Sequence, residues 1–149
     1  MKKMFGVILI SLLWVSFALA GGTANEAKQL VEKAITYMQA NGNEKAFAEF
    51  NNSSGKFVDR DLYIYVADIN ANAKCLAHGA NAKLINKELI EFKDSDGKLF
   101  IKEMVEQGRS SGSGWVDYKW TNPVTKKIEA KSVYFKKVNN LIVACGFYK

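Results

Sequence analysis

The residues best suited to chemistry lie in the last third of the chain. Trp115, Tyr118, Trp120, Lys131 and Tyr134 fall on two segments that read as neighbouring strands. Aromatic walls around one cation suit a small anion such as a carboxylate. The rings exclude water, and the ammonium then makes a stronger charge-assisted hydrogen bond. The same residues also fit a half-buried aromatic sheet whose lysine lays its stem along the surface and keeps its head in water. Tyr118 and Trp120 share a strand parity and can face one way together. Lys131 and Tyr134 have opposite parity, so they share a face only across a bulge or at a strand end.

Catalysis has little support. The single histidine, His78, lies in a strand-like stretch, where packing or hydrogen bonding is the commoner role. There is no HExxH, GxSxG, P-loop or CxxC pattern, and neither Cys75 nor Cys145 sits in an electropositive setting that would activate a thiolate. The chain reads as a non-enzyme without a cofactor. Metal binding is equally thin. Asp68-x-Asn70-x-Asn72 copies the start of a calcium loop but has Ala73 at the sixth position and Gly79 at the twelfth, where glycine and glutamate belong. Asp94-x-Asp96-Gly97 is shorter still, and both read as turns in which Asp and Asn bond their own backbone. Asn51-Asn52-Ser53 is an N-x-S sequon with Glu49 two places before it.

The elements that must position these residues read as follows. Ala27, Leu30, Val31, Ala34, Ile35 and Met38 recur at helical spacing over about 25–40, with Asn41-Gly42 as the stop. A short helix over 44–50 offers Phe47 and Phe50 to a core. Residues 62–69 and 74–78 form a hairpin around Asn70-Ala71-Asn72. Helical fragments follow over 83–92 and 98–107, and Ser110 to Gly114 is a flexible approach to the next strand. Strands over 115–121, 127–138 and 141–148 close the chain, with turns at Asn122-Pro123 and Asn139-Asn140. Consecutive strands with helices in blocks indicate an α+β fold with an antiparallel sheet.

The first 20 residues carry the three parts of a secretory signal. Lys2 and Lys3 precede an apolar run from Met4 to Leu19, and Ala18-Leu19-Ala20 offers a small-x-small cleavage site before Gly21. The run is near the lower limit for a membrane span, roughly 17 residues. Small residues at −3 and −1 serve a peptidase and have no use in an anchor. Residues 1–20 are therefore expected to be cleaved, leaving residues 21–149 as one periplasmic or secreted domain with no membrane span of its own. The 21 basic residues include Lys2 and Lys3, so 19 remain against 15 acidic. They are scattered, mostly lysines, with no concentrated stripe, which argues against a nucleic-acid partner.

In order, Leu62-Tyr-Ile-Tyr-Val-Ala-Asp68, Cys75-Leu-Ala-His78, Leu84-Ile-Asn-Lys-Glu-Leu89 and Asp94-Ser-Asp-Gly-Lys98 are followed by Gly114-Trp-Val-Asp-Tyr-Lys-Trp-Thr-Asn-Pro123, Lys131-Ser-Val-Tyr134 and Cys145-Gly-Phe-Tyr148. This string resembles the single Cache domain, an extracytoplasmic ligand-sensing module of bacterial receptors. The resemblance implies a PAS-like fold: a long N-terminal helix packed on one face of a five-stranded antiparallel sheet, with a small ligand enclosed on the other. It also implies a small organic acid of the acetate, propionate or pyruvate class, bound without turnover. Lys131, Tyr118, Trp120, His78, Tyr134 and Trp115 become the ligand-binding candidates. Two positions depart from the family pattern: Gly79 stands where a proline is usual, and Asn86 where a glycine often precedes the Lys-Glu-Leu step. Receptors continue from this module into a membrane helix and an output domain, and this chain ends at Lys149. A membrane receptor or transporter is therefore the expected partner. An exported structural or interaction domain with a vestigial pocket is the alternative. In the implied topology the first strand lies between the second and the fifth. Cys75 and Cys145 are then two strand spacings apart, roughly 9.5 Å. A disulfide needs Cα atoms within about 7 Å, so the two are expected to stay unpaired.

Overall fold

A computed structural model describes residues 20–149. The signal expected over residues 1–20 lies, apart from Ala20, outside the described residues. Helix α1 (Ala24–Asn41) opens with a capping box: the Thr23 side chain accepts from the Glu26 backbone N–H, and Glu26 reaches back to the Thr23 N–H. Gly42, at a φ of 79°, ends it and starts α2 (Asn43–Phe50). The strands are β1 (Val58–Asp59), β2 (Leu62–Asp68), β3 (Lys74–His78), β4 (Ser113–Thr121), β5 (Ile128–Val138) and β6 (Leu141–Tyr148). Helix α3 (Phe100–Ser111) lies between β3 and β4.

The sheet is antiparallel throughout, in the order β3-β2-β6-β5-β4, with the two-residue β1 paired to the start of β2. The five long strands are those expected, and β2 lies between β3 and β6 as the family topology requires. One face packs on α1, where Val31, Ala34, Ile35 and Met38 meet Ile64, Val66, Val143 and Cys145. The other face is covered by α3, whose Ile101, Met104 and Val105 meet Val133, Phe135 and Ile142. A sheet covered on both sides needs apolar residues at every position of its central strands, which is why β2 is buried continuously from Leu62 to Ala67.

The segment over 83–92 departs from the helical reading. Only Ala82–Leu84 forms a single 3-10 turn. The chain then runs along the open edge of β3: Cys75 donates to the Lys87 carbonyl, and Asn86 donates to the Cys75 carbonyl. Edge groups of β3 that a helix would leave unpaired are satisfied this way. Asn86 makes the turn at a φ of 68°, left-handed backbone that favours glycine and that asparagine tolerates. The asparagine therefore makes here the left-handed turn that a glycine would make. The helix expected over 98–107 is displaced to Phe100–Ser111, so the expected flexible approach is its last turn, with Gly112 as the left-handed cap. Both calcium-like stretches are turns. Asp68 accepts from the Asn70 N–H, and Asp94 accepts from the N–H groups of Asp96, Lys98 and Lys119, the last pinning the loop to the β4 edge.

Asp61, buried just before β2, ties the residues that precede α1 to the end of β6. Its carboxylate accepts from the Gly22 N–H at 2.6 Å and from the Tyr148 N–H at 3.2 Å.

Candidate functional site

The face of the sheet turned to α3 holds a cavity. Its water-sized room is about 30 Å³, two or three times the roughly 10–15 Å³ that one water centre needs. Register decides which candidates reach it. The β4–β5 ladder runs unbroken from Ser113↔Lys136 to Thr121↔Ile128, pairing Tyr118 with Lys131 and Trp115 with Tyr134. Tyr118, Trp120 and Lys131 therefore line the cavity. Tyr134 and Trp115 do not. They face the opposite side, where their rings pack on each other at 5.3 Å and Tyr134 joins the α1 core. The bulge that would bring Tyr134 onto the Lys131 face falls in β3 instead. Tyr65 pairs with His78 and Val66 with Ala77, but Ala67 pairs with Cys75, which leaves Leu76 extra. With that extra residue, Cys75 and His78 both come onto the α3 face.

Four more elements complete the site. Tyr63 and Tyr65 on β2 share the parity that points them into the cavity. Phe100, at the start of α3, stacks on Tyr118 at 4.0 Å and 15° and tilts against Trp120 at 5.3 Å. Leu84, Leu89 and Phe92 of the β3-edge segment close the top. Gly146 of β6 lies between Lys131 and Tyr63. A Cβ there would stand 2.6 Å from Lys131 Cε and 2.5 Å from a Val133 methyl, so glycine is what lets the lysine stem cross β6.

Lys131 is 3% exposed. Its Nζ donates to the Tyr63 hydroxyl at 2.7 Å and lies 4.1 Å from the Tyr63 ring centroid and 4.9 Å from that of Tyr148. No carboxylate pairs with it among the described residues. Burial brings its pKa down to about 8. His78 is held by its own loop: Nδ1 accepts from the Asn81 N–H at 2.9 Å and the Ala80 N–H at 3.3 Å. That acceptor role places the ring proton on Nε2. Burial first, then the Lys131 charge, lowers His78 to about 3, so it stays neutral. Its backbone N–H donates to the Asn51 side-chain oxygen at 2.9 Å, which gives the sequon asparagine a structural task. The Tyr65 hydroxyl is buried without a hydrogen-bond partner among the described residues.

The two arginines are committed elsewhere. Arg60 pairs with Glu26 at 2.7 Å and Asp59 at 2.9 Å, and Arg109 donates to the Ile69 carbonyl. Cys75 and Cys145 are free and buried; their side chains join the cores on opposite faces of β2–β6, and burial pushes both thiols up to about 12. Among the described residues no cluster of three or more His, Cys, Asp or Glu could hold a metal ion.

The α3 face of a PAS-like sheet therefore carries a largely apolar pocket with one buried lysine, an architecture suited to a small ligand. The chain belongs to the family of Single Cache domain 2, whose pattern it matches over residues 16–149. It is 33% identical over 92 residues to the methyl-accepting chemotaxis protein McpP of Pseudomonas putida (strain KT2440); that stretch is 60% of this chain and 16% of McpP. Among solved structures it resembles a Cache chemosensory domain described as a structural basis for carboxylic acid recognition (TM-score 0.71, 23% identity, 83% of this chain and 91% of that one). It also resembles a periplasmic sensor domain of a chemotaxis protein (TM-score 0.64, 24% identity, 83% and 88%). A third is a methyl-accepting chemotaxis protein from Vibrio parahaemolyticus (TM-score 0.68, 20% identity, 83% and 86%). The fold is thus the one these Cache and periplasmic sensor domains share. Among the described residues no helix is long and apolar enough to cross a membrane.

Proposed function

We propose that this chain is an exported sensor domain that binds a small organic acid of the acetate, propionate or pyruvate class without turning it over. In this reading residues 1–20 are a cleaved signal, residues 21–149 fold as the sensor, and a membrane receptor or transporter receives the signal in the periplasm. The observation that carries it is the Lys131 ammonium, buried in the cavity with one neutral partner and no carboxylate. A buried charge without a counter-ion is costly, and an incoming carboxylate is the partner of matching chemistry. His78 Nε2–H and the unpartnered Tyr65 hydroxyl supply further donors. Phe100, Tyr118 and Trp120 form the apolar wall for a short carbon chain, and the small cavity favours a few heavy atoms. The chemotaxis-protein relative supports a sensory role, and the Cache domain solved for carboxylic acid recognition supports the acid class.

A thermal-shift screen of short mono- and dicarboxylates tests this. A ligand at a hundredfold excess over Kd stabilises by about 2.7 kcal/mol. A shift confined to short monocarboxylates is expected; no shift with any acid favours the structural or interaction role.

A further inference from the structure

Lys131 reaches its place across β6, over the bare backbone of Gly146. An ammonium carries three N–H donors, and among the described residues its one hydrogen bond is to the neutral Tyr63 hydroxyl. The titratable groups around it come from four strands: Tyr63 and Tyr65 of β2, His78 of β3, Tyr118 of β4 and Tyr148 of β6, while the Cys145 thiol joins the α1-side core. Asp61, just before β2, is a carboxylate that acts on Lys131 from a distance, but its oxygens accept from the Gly22 and Tyr148 backbone N–H groups. α3 and the segment before it turn only apolar side chains to the cavity: Leu84, Leu89, Phe92, Phe100 and Ile101. A full charge in this setting is desolvated without an anion to offset it. A neutral amine is not, since its lone pair can accept the Tyr63 O–H proton while its N–H bonds stay within the cavity.

We propose that anion capture and protonation of Lys131 are one linked event, a regulation of the pocket that rests on the carboxylate reading given above. In the alkaline range the empty site holds the amine. The carboxylate and a proton from solvent enter together, converting Lys131–NH2, H+ and RCOO− into Lys131–NH3+ paired with −OOCR. No bond other than N–H forms, and the net charge added to the cavity is zero. With the amine titrating near 8 in the empty site, most of the pocket is already charged at pH 7. Roughly nine-tenths of it is neutral at pH 9, so about 0.9 proton accompanies each acid there. His78, neutral across this range, contributes no proton of its own. Affinity therefore declines as pH rises through 8, and the sensor loses response in alkaline medium.

Isothermal titration with acetate, propionate and pyruvate as probes, at pH 7 and pH 9, tests the linkage. Each pH is run in two buffers of different ionisation enthalpy. The expected result is a Kd about tenfold weaker at pH 9, with a heat that depends on the buffer at pH 9 and hardly at pH 7. An acid that binds equally well at both pH values, with buffer-independent heats, overturns the linkage and leaves the carboxylate reading standing. A ligand-free measurement decides the case in which no probe binds. In protein carrying lysine labelled with 13C at Cε, the resonance assigned by its loss in Lys131→Met should titrate with a midpoint near 8. A midpoint at 10 or above overturns the proposal whatever the ligand is.

Discussion

Lys131→Met should change folding stability in a pH-dependent way whose size follows from the burial of the amine. The wild-type group titrates at about 8 in the folded chain against an ordinary 10.5. Between those values the unfolded chain holds the proton and the folded chain releases it. The unfolded state then binds more protons, so wild-type stability rises with pH in this window. Below 8 both states hold the proton, and the folded state carries the full cost of the buried charge. At 1.36 kcal/mol per pH unit, the gain is about 2 to 3 kcal/mol between pH 7 and pH 10. Methionine keeps the stem and removes the titration. It also leaves the Tyr63 hydroxyl without its Lys131 partner, a cost of about 1–3 kcal/mol. That cost is equal at both pH values, because Tyr63 itself is held well above its ordinary value by burial. Urea unfolding of both proteins at pH 7 and pH 10 isolates the amine by difference. Relative to the Met variant, wild type should gain about 2 to 3 kcal/mol on going to pH 10. A gap between the two proteins that is constant with pH would refute the reasoning, since it would mean that the Lys131 ammonium is hydrated in the folded chain.

Gly146→Ala places a methyl 2.6 Å from Lys131 Cε, 2.5 Å from a Val133 methyl and 2.8 Å from the Ser132 carbonyl oxygen; overpacking of this kind costs about 1–3 kcal/mol, so a lower melting temperature and weaker acid binding are expected together. Tyr65→Phe removes a buried hydroxyl that has no partner; the empty protein should keep or gain stability in urea unfolding, while acid affinity falls by about 0.5–1.5 kcal/mol if the ligand takes that donor, and unchanged affinity would put the ligand out of reach of Tyr65. Both thiols are buried and pushed up to about 12, so Ellman's reagent should find no reactive thiol in the native protein and two after denaturation, against zero for a disulfide.

The elements were legible where sequence pattern and tertiary demand agree. The α1 stripe, its Gly42 stop, the five long strands and the two Asx turns all lie where periodicity and turn residues put them. The segment over 83–92 was not, because Asn86 and Lys87 spend their backbone groups on the β3 edge, a long-range pairing that local apolar spacing does not encode. At the site, Tyr118, Trp120, Lys131 and His78 are brought together. Tyr134 and Trp115 are not, and their parity against Lys131 was the available sign. Tyr63 and Tyr65 carried the same sign, since alternation in Tyr63-Ile64-Tyr65 puts both rings on one face. Phe100 and Gly146 gave no local signal. Phe100 matters through a helix packed across the sheet, and Gly146 through the crossing of a side chain two positions away in register.

Calorimetric titration of acetate, propionate and pyruvate into wild type and Lys131→Met at pH 7 tests the central claim most directly. The account predicts single-site binding of at least one of these acids to the wild type. In the Met variant, folded by circular dichroism, it predicts a loss of about 1.5–3 kcal/mol, the range for a hydrogen bond to a charged group. Equal affinity in the two folded proteins would contradict it and move the anion away from Lys131.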